Sequence, residues 1–187
     1  TISCTGGTGV LNYNLQPTNT NNNTGLFINL GGGTYTITVT DANNCSYTTS
    51  IAVVNPPILS FGTFIVTNIS CFGNNDGMIN AVAVGGTGTL TYVLQPGNVI
   101  NNTGTYTGLI PGTYTVSVSD ANLCSTSSVT TITEPLPLNI NLVSTQNVIC
   151  HGGNSGAIVV NANGGTLPYT FVLNPTGVSN NNGDFQN

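Results

Sequence analysis

The sequence predicts an all-β chain of antiparallel β-sandwich modules repeated every 79 residues. Three observations carry this. First, the chain copies itself without gaps. Gly6-Gly7-Thr8, Gly85-Gly86-Thr87 and Gly164-Gly165-Thr166 recur at one step, as do Cys45 and Cys124, Cys71 and Cys150, and Tyr13, Tyr92 and Phe171. Between Gln16–Ser46 and Gln95–Ser125, 18 of 31 positions are identical, so each copy is one folding unit. Second, apolar residues alternate with small hydroxyl residues, and helical periodicity is absent. Third, turn signals punctuate the chain at short, regular intervals.

The elements follow in order within the complete copy. Phe64 to Ile69 reads as the first strand, and Ile79, Ala81 and Ala83 lie near the next. Leu90, Tyr92 and Leu94 alternate in a third. In Gly112-Thr113-Tyr114-Thr115-Val116-Ser117-Val118-Ser119-Asp120, Tyr114, Val116 and Val118 face a core while Thr113, Thr115 and Ser117 face water. Unit 1 repeats this as Thr34 to Thr40, and Ser127 to Ile132 closes the copy. Between them stand Gly73-Asn74-Asn75-Asp76-Gly77, Gly85-Gly86, Pro96-Gly97, Pro111-Gly112 and Asp120-Ala121-Asn122. Five to seven short strands at this spacing describe a two-sheet sandwich.

The 187 residues hold about 2.4 units. The expected division is residues 1–57, lacking opening strands, residues 58–135, complete, and residues 136–187, lacking closing strands. The linkers Asn55-Pro56-Pro57 and Glu134-Pro135-Leu136-Pro137 are short and proline-stiffened, which predicts a semi-rigid rod.

Composition removes whole function classes. There is no Lys or Arg, and five acidic residues give a net charge of −5. No basic surface exists for phosphate backbones or anionic lipid, which excludes nucleic-acid binding. No apolar run approaches the length of a membrane span, so no membrane insertion is expected. Thr (30) and Asn (29) dominate, yet the regular apolar positions argue for folded strands rather than disorder.

Cys71-Phe72-Gly73-Asn74-Asn75-Asp76-Gly77, Gly85-Gly86-Thr87, Leu109-Ile110-Pro111-Gly112-Thr113-Tyr114-Thr115-Val116 and Asp120-Ala121-Asn122-Leu123-Cys124 together resemble the SprB repeat. The resemblance implies Ig-like modules strung in long arrays on very large secreted surface proteins of Bacteroidota, where they serve adhesins and extracellular fibres. Two departures stand out. Unit 1 lacks the opening Cys-x-Gly segment, and Leu123 or Asn44 replaces the Gly that usually precedes the closing Cys.

Five cysteines suit an oxidising exterior. If the turn after Asp120 and the Gly73–Gly77 turn share one end of the sandwich, Cys71 meets Cys124 in a disulfide worth about 4 kcal/mol by loop entropy. Cys45 and Cys150 then need partners elsewhere. Cys4 stands where the other copies have Ala83 and Ala162, a position expected some 20 Å from the Cys45 end.

No catalytic residue emerges. The one histidine, His151, is replaced by Phe72 in unit 2, which suits packing better than acid–base chemistry. The glycine-rich stretches precede strands and lack the lysine of a phosphate loop. The lack of Lys also excludes a Lys–Asn isopeptide crosslink. No cofactor is expected. The weak exception is a structural Ca2+ held by Asn74, Asn75 and Asp76 with Asp120 and Asn122. Asn22, Asn101 and Asn68 head acceptor sequons for covalent glycan, the first two at equivalent places in an Asn-rich loop.

Two functions fit. One is a structural segment of an extracellular fibre, stalk or surface adhesin, partnered by neighbouring copies of the same repeat. The other is a module whose loops between Gln95 and Tyr106 bind glycans or a surface. An ice-binding lattice of Thr rows is excluded by their sparse spacing. A fibre could continue through the proline linkers, or incomplete end units could exchange strands between subunits.

Overall fold

The computed structural model describes residues 3–186, and Thr1, which registers with Val159, lies outside them. The described chain is all strand and turn and divides into two compact units, Thr1–Pro57 and Ile58–Asn187.

In Thr1–Pro57, β1 (Asn12–Gln16), β2 (Thr20–Asn22), β3 (Gly33–Thr40) and β4 (Ser46–Val53) form one antiparallel sheet in the order β2-β1-β3-β4. Alternation sorts its faces. Tyr13 and Leu15 from β1 and Tyr35 and Ile37 from β3 are buried together, with Leu11, Phe27, Leu30, Val39 and Val53 packed against them. The intervening hydroxyls pair across the sheet, Thr36 Oγ1 with Ser50 Oγ at 3.3 Å and Thr38 Oγ1 with Thr48 Oγ1 at 3.0 Å. Among the described residues of this unit no second sheet covers the apolar face. Tyr47 and Ile51 of β4 are therefore left 69% and 52% exposed.

The second unit shows what that face normally meets. Its strands are β5 (Ser60–Thr67), β6 (Gly77–Val84), β7 (Thr91–Gln95), β8 (Val99–Asn101), β9 (Thr105–Leu109), β10 (Gly112–Ser119) and β11 (Ser125–Ile132). They form two antiparallel sheets, β5-β6-β9 and β11-β10-β7-β8. Ile79, Ala81 and Tyr106 from the first pack against Tyr92, Leu94, Tyr114, Val116, Val118 and Ile132 from the second, closing one core. Burying each of the larger aliphatic side chains stabilises the unit by roughly 1.5–3 kcal/mol. The expected two-sheet sandwich and its inward residues Tyr92, Tyr114, Val116 and Val118 stand, with Leu90 packed at the margin.

The stretch read as an Asn-rich loop after Gln95 is instead a strand pair. Asn98 turns the chain at φ 51°, and β8 returns along β7 through Tyr92↔Asn101, Val93↔Ile100 and Leu94↔Val99. β9 then carries Tyr106 into the core at 4% exposure. Gly104 joins them at φ 71°, where any Cβ would strike the Ala81 carbonyl, while Gly104 O accepts Ala81 N at 2.8 Å.

The same unit continues as β12 (Asn139–Gln146), β13 (Ala157–Asn163), β14 (Phe171–Leu173), β15 (Val178–Asn180) and β16 (Asp184–Phe185). Sheets β12-β13-β16 and β14-β15 are the counterparts of β5-β6-β9 and β7-β8. Residues 136–186 contain no counterpart of the β10–β11 hairpin, and β12 is exposed along its whole length.

Candidate functional site

The functional geometry lies at the ends of the sandwiches. Between β10 and β11, Asp120 closes the hairpin turn. Its Oδ1 accepts Asn122 N and Cys124 N, each at 2.9 Å, and its Oδ2 accepts Thr87 N at 2.8 Å. Ala121 N returns a bond to Thr87 O at 3.0 Å. One carboxylate thus ties the cysteine-bearing turn to the Gly85-Gly86-Thr87 loop. Burial raises the Asp120 pKa, but the three backbone N–H donors outweigh it and hold the carboxyl below its usual value. Asp41 repeats the arrangement with Thr8 N (3.0 Å), Asn43 N (2.9 Å) and Cys45 N (2.9 Å). Its pKa is also lowered, first by the Thr8 N–H and then by that of Cys45. Leu123 and Asn44, which precede the closing cysteines, both sit at φ 66°. That left-handed geometry is one glycine adopts most easily.

Cys71 occupies the opposite end. Its loop follows β5 and is held by Ile69 N to Thr133 O (3.0 Å), Thr133 N to Asn68 Oδ1 (3.0 Å) and Gly73 N to Glu134 Oε2 (3.0 Å). These partners adjoin Ile132, the far end of β11, whereas Cys124 adjoins Ser125, its beginning. An eight-residue strand at about 3.3 Å per residue puts roughly 26 Å between the two ends. A disulfide needs Cα atoms within about 7 Å. The expectation that Cys71 bonds Cys124 within one module is therefore corrected: the Gly73–Gly77 turn and the Asp120 turn do not share an end. The same inversion moves Cys4. It lines one cleft of about 520 Å3 together with Cys45, Leu11, Tyr13, Ile37 and Val39, rather than standing far from Cys45. All five cysteines are exposed thiols.

The proposed oxygen ligands do not converge, because Asp76 belongs to the Cys71 end and Asp120 to the other. Asp76 instead accepts Ser70 Oγ and, at 3.1 Å, Ser70 N. The Ser70 hydroxyl, then its N–H, lowers the Asp76 pKa. Among the described residues no three His, Cys, Asp or Glu side chains gather as a metal site. His151 is exposed, as is its counterpart Phe72 at 55%, so neither ring packs in a core as expected.

The sequon asparagines have structural work. Asn101 Oδ1 accepts Thr103 N (3.0 Å) and Gly104 N (2.8 Å), and its Nδ2 donates to Thr105 O (3.0 Å). Asn22 does the same with Thr24 N, Gly25 N and Leu26 O at 3.1, 2.7 and 3.0 Å. Asn180, which heads no sequon, keeps the pattern with Gly183 N and Asp184 O, each at 2.8 Å. The asparagine recurs because the turn needs it, with or without an acceptor motif. Asn68 is exposed, and its Oδ1 is taken by Thr133 N.

Sequence reasoning missed the carboxylate tie. The signal was present: Gly-Gly-Thr and Asp-Ala-Asn recur together, with Asp 33 positions after Thr in both copies. It also missed Tyr106, whose buried hydroxyl has no hydrogen-bond partner.

The architecture is that of a tandem β-sandwich protein. The SprB repeat matches residues 63–99 and, one step later, residues 142–178, so the chain carries two SprB repeats. The matched stretch runs from within β5 to the start of β8, and Thr1–Pro57 holds counterparts of only its final strands. No curated protein matches the chain.

Proposed function

We propose that this chain is a load-bearing segment of an extracellular fibre, stalk or surface adhesin of the Bacteroidota, acting through length and stiffness without catalysis. One observation carries the reading: consecutive repeats are seated on each other, not merely tethered. Thr166 Oγ1 of the third repeat donates to Ser70 O of the second at 3.3 Å. The Gly-Gly-Thr loop of the third repeat thereby rests on the end of the second. The family match at a constant step, the sparsely charged polar surface and the lack of a gathered catalytic cluster among the described residues support the same role.

Imaging of the native material tests it. The reading expects rods with an axial repeat on the order of 30–40 Å, one eight-residue strand plus its turns. Compact particles without an axial repeat would overturn it. Denaturing electrophoresis with reductant then separates one very long chain from subunits the size of this one.

A further inference from the structure

We propose that the repeat cysteines form disulfides between successive repeats: the Cys71-type thiol of one repeat bonds the Cys124-type thiol of the repeat that follows. This rests on the tandem-array reading above.

Cys71 and Cys124 lie at opposite ends of their own sandwich, so neither can reach the other. Next, the Cys124 turn is fixed to the Gly-Gly-Thr loop of its own repeat through Asp120, with Thr87 N at 2.8 Å and Ala121 N to Thr87 O at 3.0 Å. Asp41 and Thr8 repeat that tie at 3.0 Å, so it belongs to the repeat and not to one copy. Finally, the third copy of that loop sits beside Cys71. Thr166, the counterpart of Thr87, bonds the carbonyl of Ser70, the residue immediately before Cys71. Whatever hairpin completes the third repeat is held by its aspartate to Thr166, and its cysteine is delivered to Cys71. Both thiols of such a pair are exposed rather than committed to a core.

The pairing also explains why all four repeat cysteines are needed. Cys71 and Cys150 face forward, and Cys45 and Cys124 face back. Each junction takes one of each kind. If the following repeat is on the same chain, the partner of Cys71 is the closing cysteine of that repeat. If a second copy presents it, Thr1–Pro57 supplies the closing hairpin, and the bonds are Cys71 to Cys45 and Cys150 to Cys124 of that copy.

Bond formation removes two protons and two electrons from the thiol pair. The oxidant is a protein disulfide of the dithiol-oxidase class, reduced to its dithiol as the S–S bond forms through a mixed disulfide.

The test is disulfide mapping on native filaments, with free thiols blocked at harvest. Trypsin is useless on a chain without Lys or Arg, so a protease cutting after Tyr, Phe and Leu is used. The expected result is a linked peptide pair joining Cys71 to a closing cysteine of the next repeat, with Cys45 of a second copy as the two-chain form. Cys71 joined to Cys124 of its own repeat, or Cys71 and Cys124 both recovered as blocked thiols, overturns the proposal. Imaging of the same sample keeps the two readings apart: periodic rods with free thiols sink the disulfide alone, while the absence of rods sinks the array. Where a second copy presents the closing cysteine, a C71S/C150S chain should assemble with the same axial repeat but release about tenfold more monomer in denaturant without reductant. Equal release from both proteins also counts against the bond.

Discussion

The β3–β4 hairpin of Thr1–Pro57 and the β10–β11 hairpin of the second unit share most of their sequence but not their surroundings. Val116 and Val118 are 0% and 1% exposed, whereas their counterparts are Ile37 at 3% and Val39, which is only half-buried beside an open cleft. Ile132 is sealed at 1%, but Val53 is half-buried. Gly85 is pressed against the Ile58 carbonyl, while nothing approaches Gly6 within 4 Å. The difference is the β5–β6 pair, which has no counterpart among the described residues of Thr1–Pro57. Local sequence forms the hairpin and ties its turn through aspartate in both units. The opposing sheet decides how much each apolar side chain contributes.

Substitutions that depend on the missing sheet should therefore diverge between the units. The largest effect is expected at Val116→Asp, which buries an unpaired charge between two sheets and costs more than about 4 kcal/mol. Ile37→Asp should cost less, because its carboxylate reaches water through the cleft. Unit-resolved hydrogen exchange separates the two, and equal losses would mean that the cleft is closed in solution. Next is Ile132→Ala, at about 2–4 kcal/mol, against less than about 1 kcal/mol for Val53→Ala. The same exchange measurement reads both. Gly85→Ala combines a positive φ with a backbone collision and should cost about 1–3 kcal/mol more than Gly6→Ala, which meets only the φ strain. Denaturant midpoints check this pair.

The smallest effect has the opposite sign. Tyr106 stands where the other repeats have Phe27 and Phe185, and its hydroxyl is buried without a partner. Burial, then the neighbouring Tyr92, raises its pKa. Tyr106→Phe should stabilise the second unit by about 1 kcal/mol, since no hydrogen bond is lost. A lower melting temperature would show that the hydroxyl is satisfied in solution.

Much of this was legible in the sequence, for a physical reason: period-two alternation and glycine turns act locally, and the repeat displayed them more than once. Tyr114, Val116 and Val118 declared their inward face without any knowledge of the partner sheet. The strands around Val99 and Thr105 were not legible, because Asn-rich polar residues occupy them and their order comes from pairing with β7 and β6. The ends of the sandwich were misjudged for a related reason. Which turns share an end is a property of topology. The sequence from Asn68 to Glu134 does not reveal that the Cys71 loop is anchored by Thr133 and Glu134.

That anchoring is the central claim, and the distance between Cys71 and Cys124 tests it most directly. In a chain with Cys4, Cys45 and Cys150 replaced by serine, nitroxide labels on the two remaining thiols report their separation by pulsed electron resonance. The account predicts a distribution centred above about 20 Å, from eight strand residues at about 3.3 Å each. A distribution centred below about 15 Å, or spontaneous closure of the Cys71–Cys124 disulfide within a monomer, would contradict it.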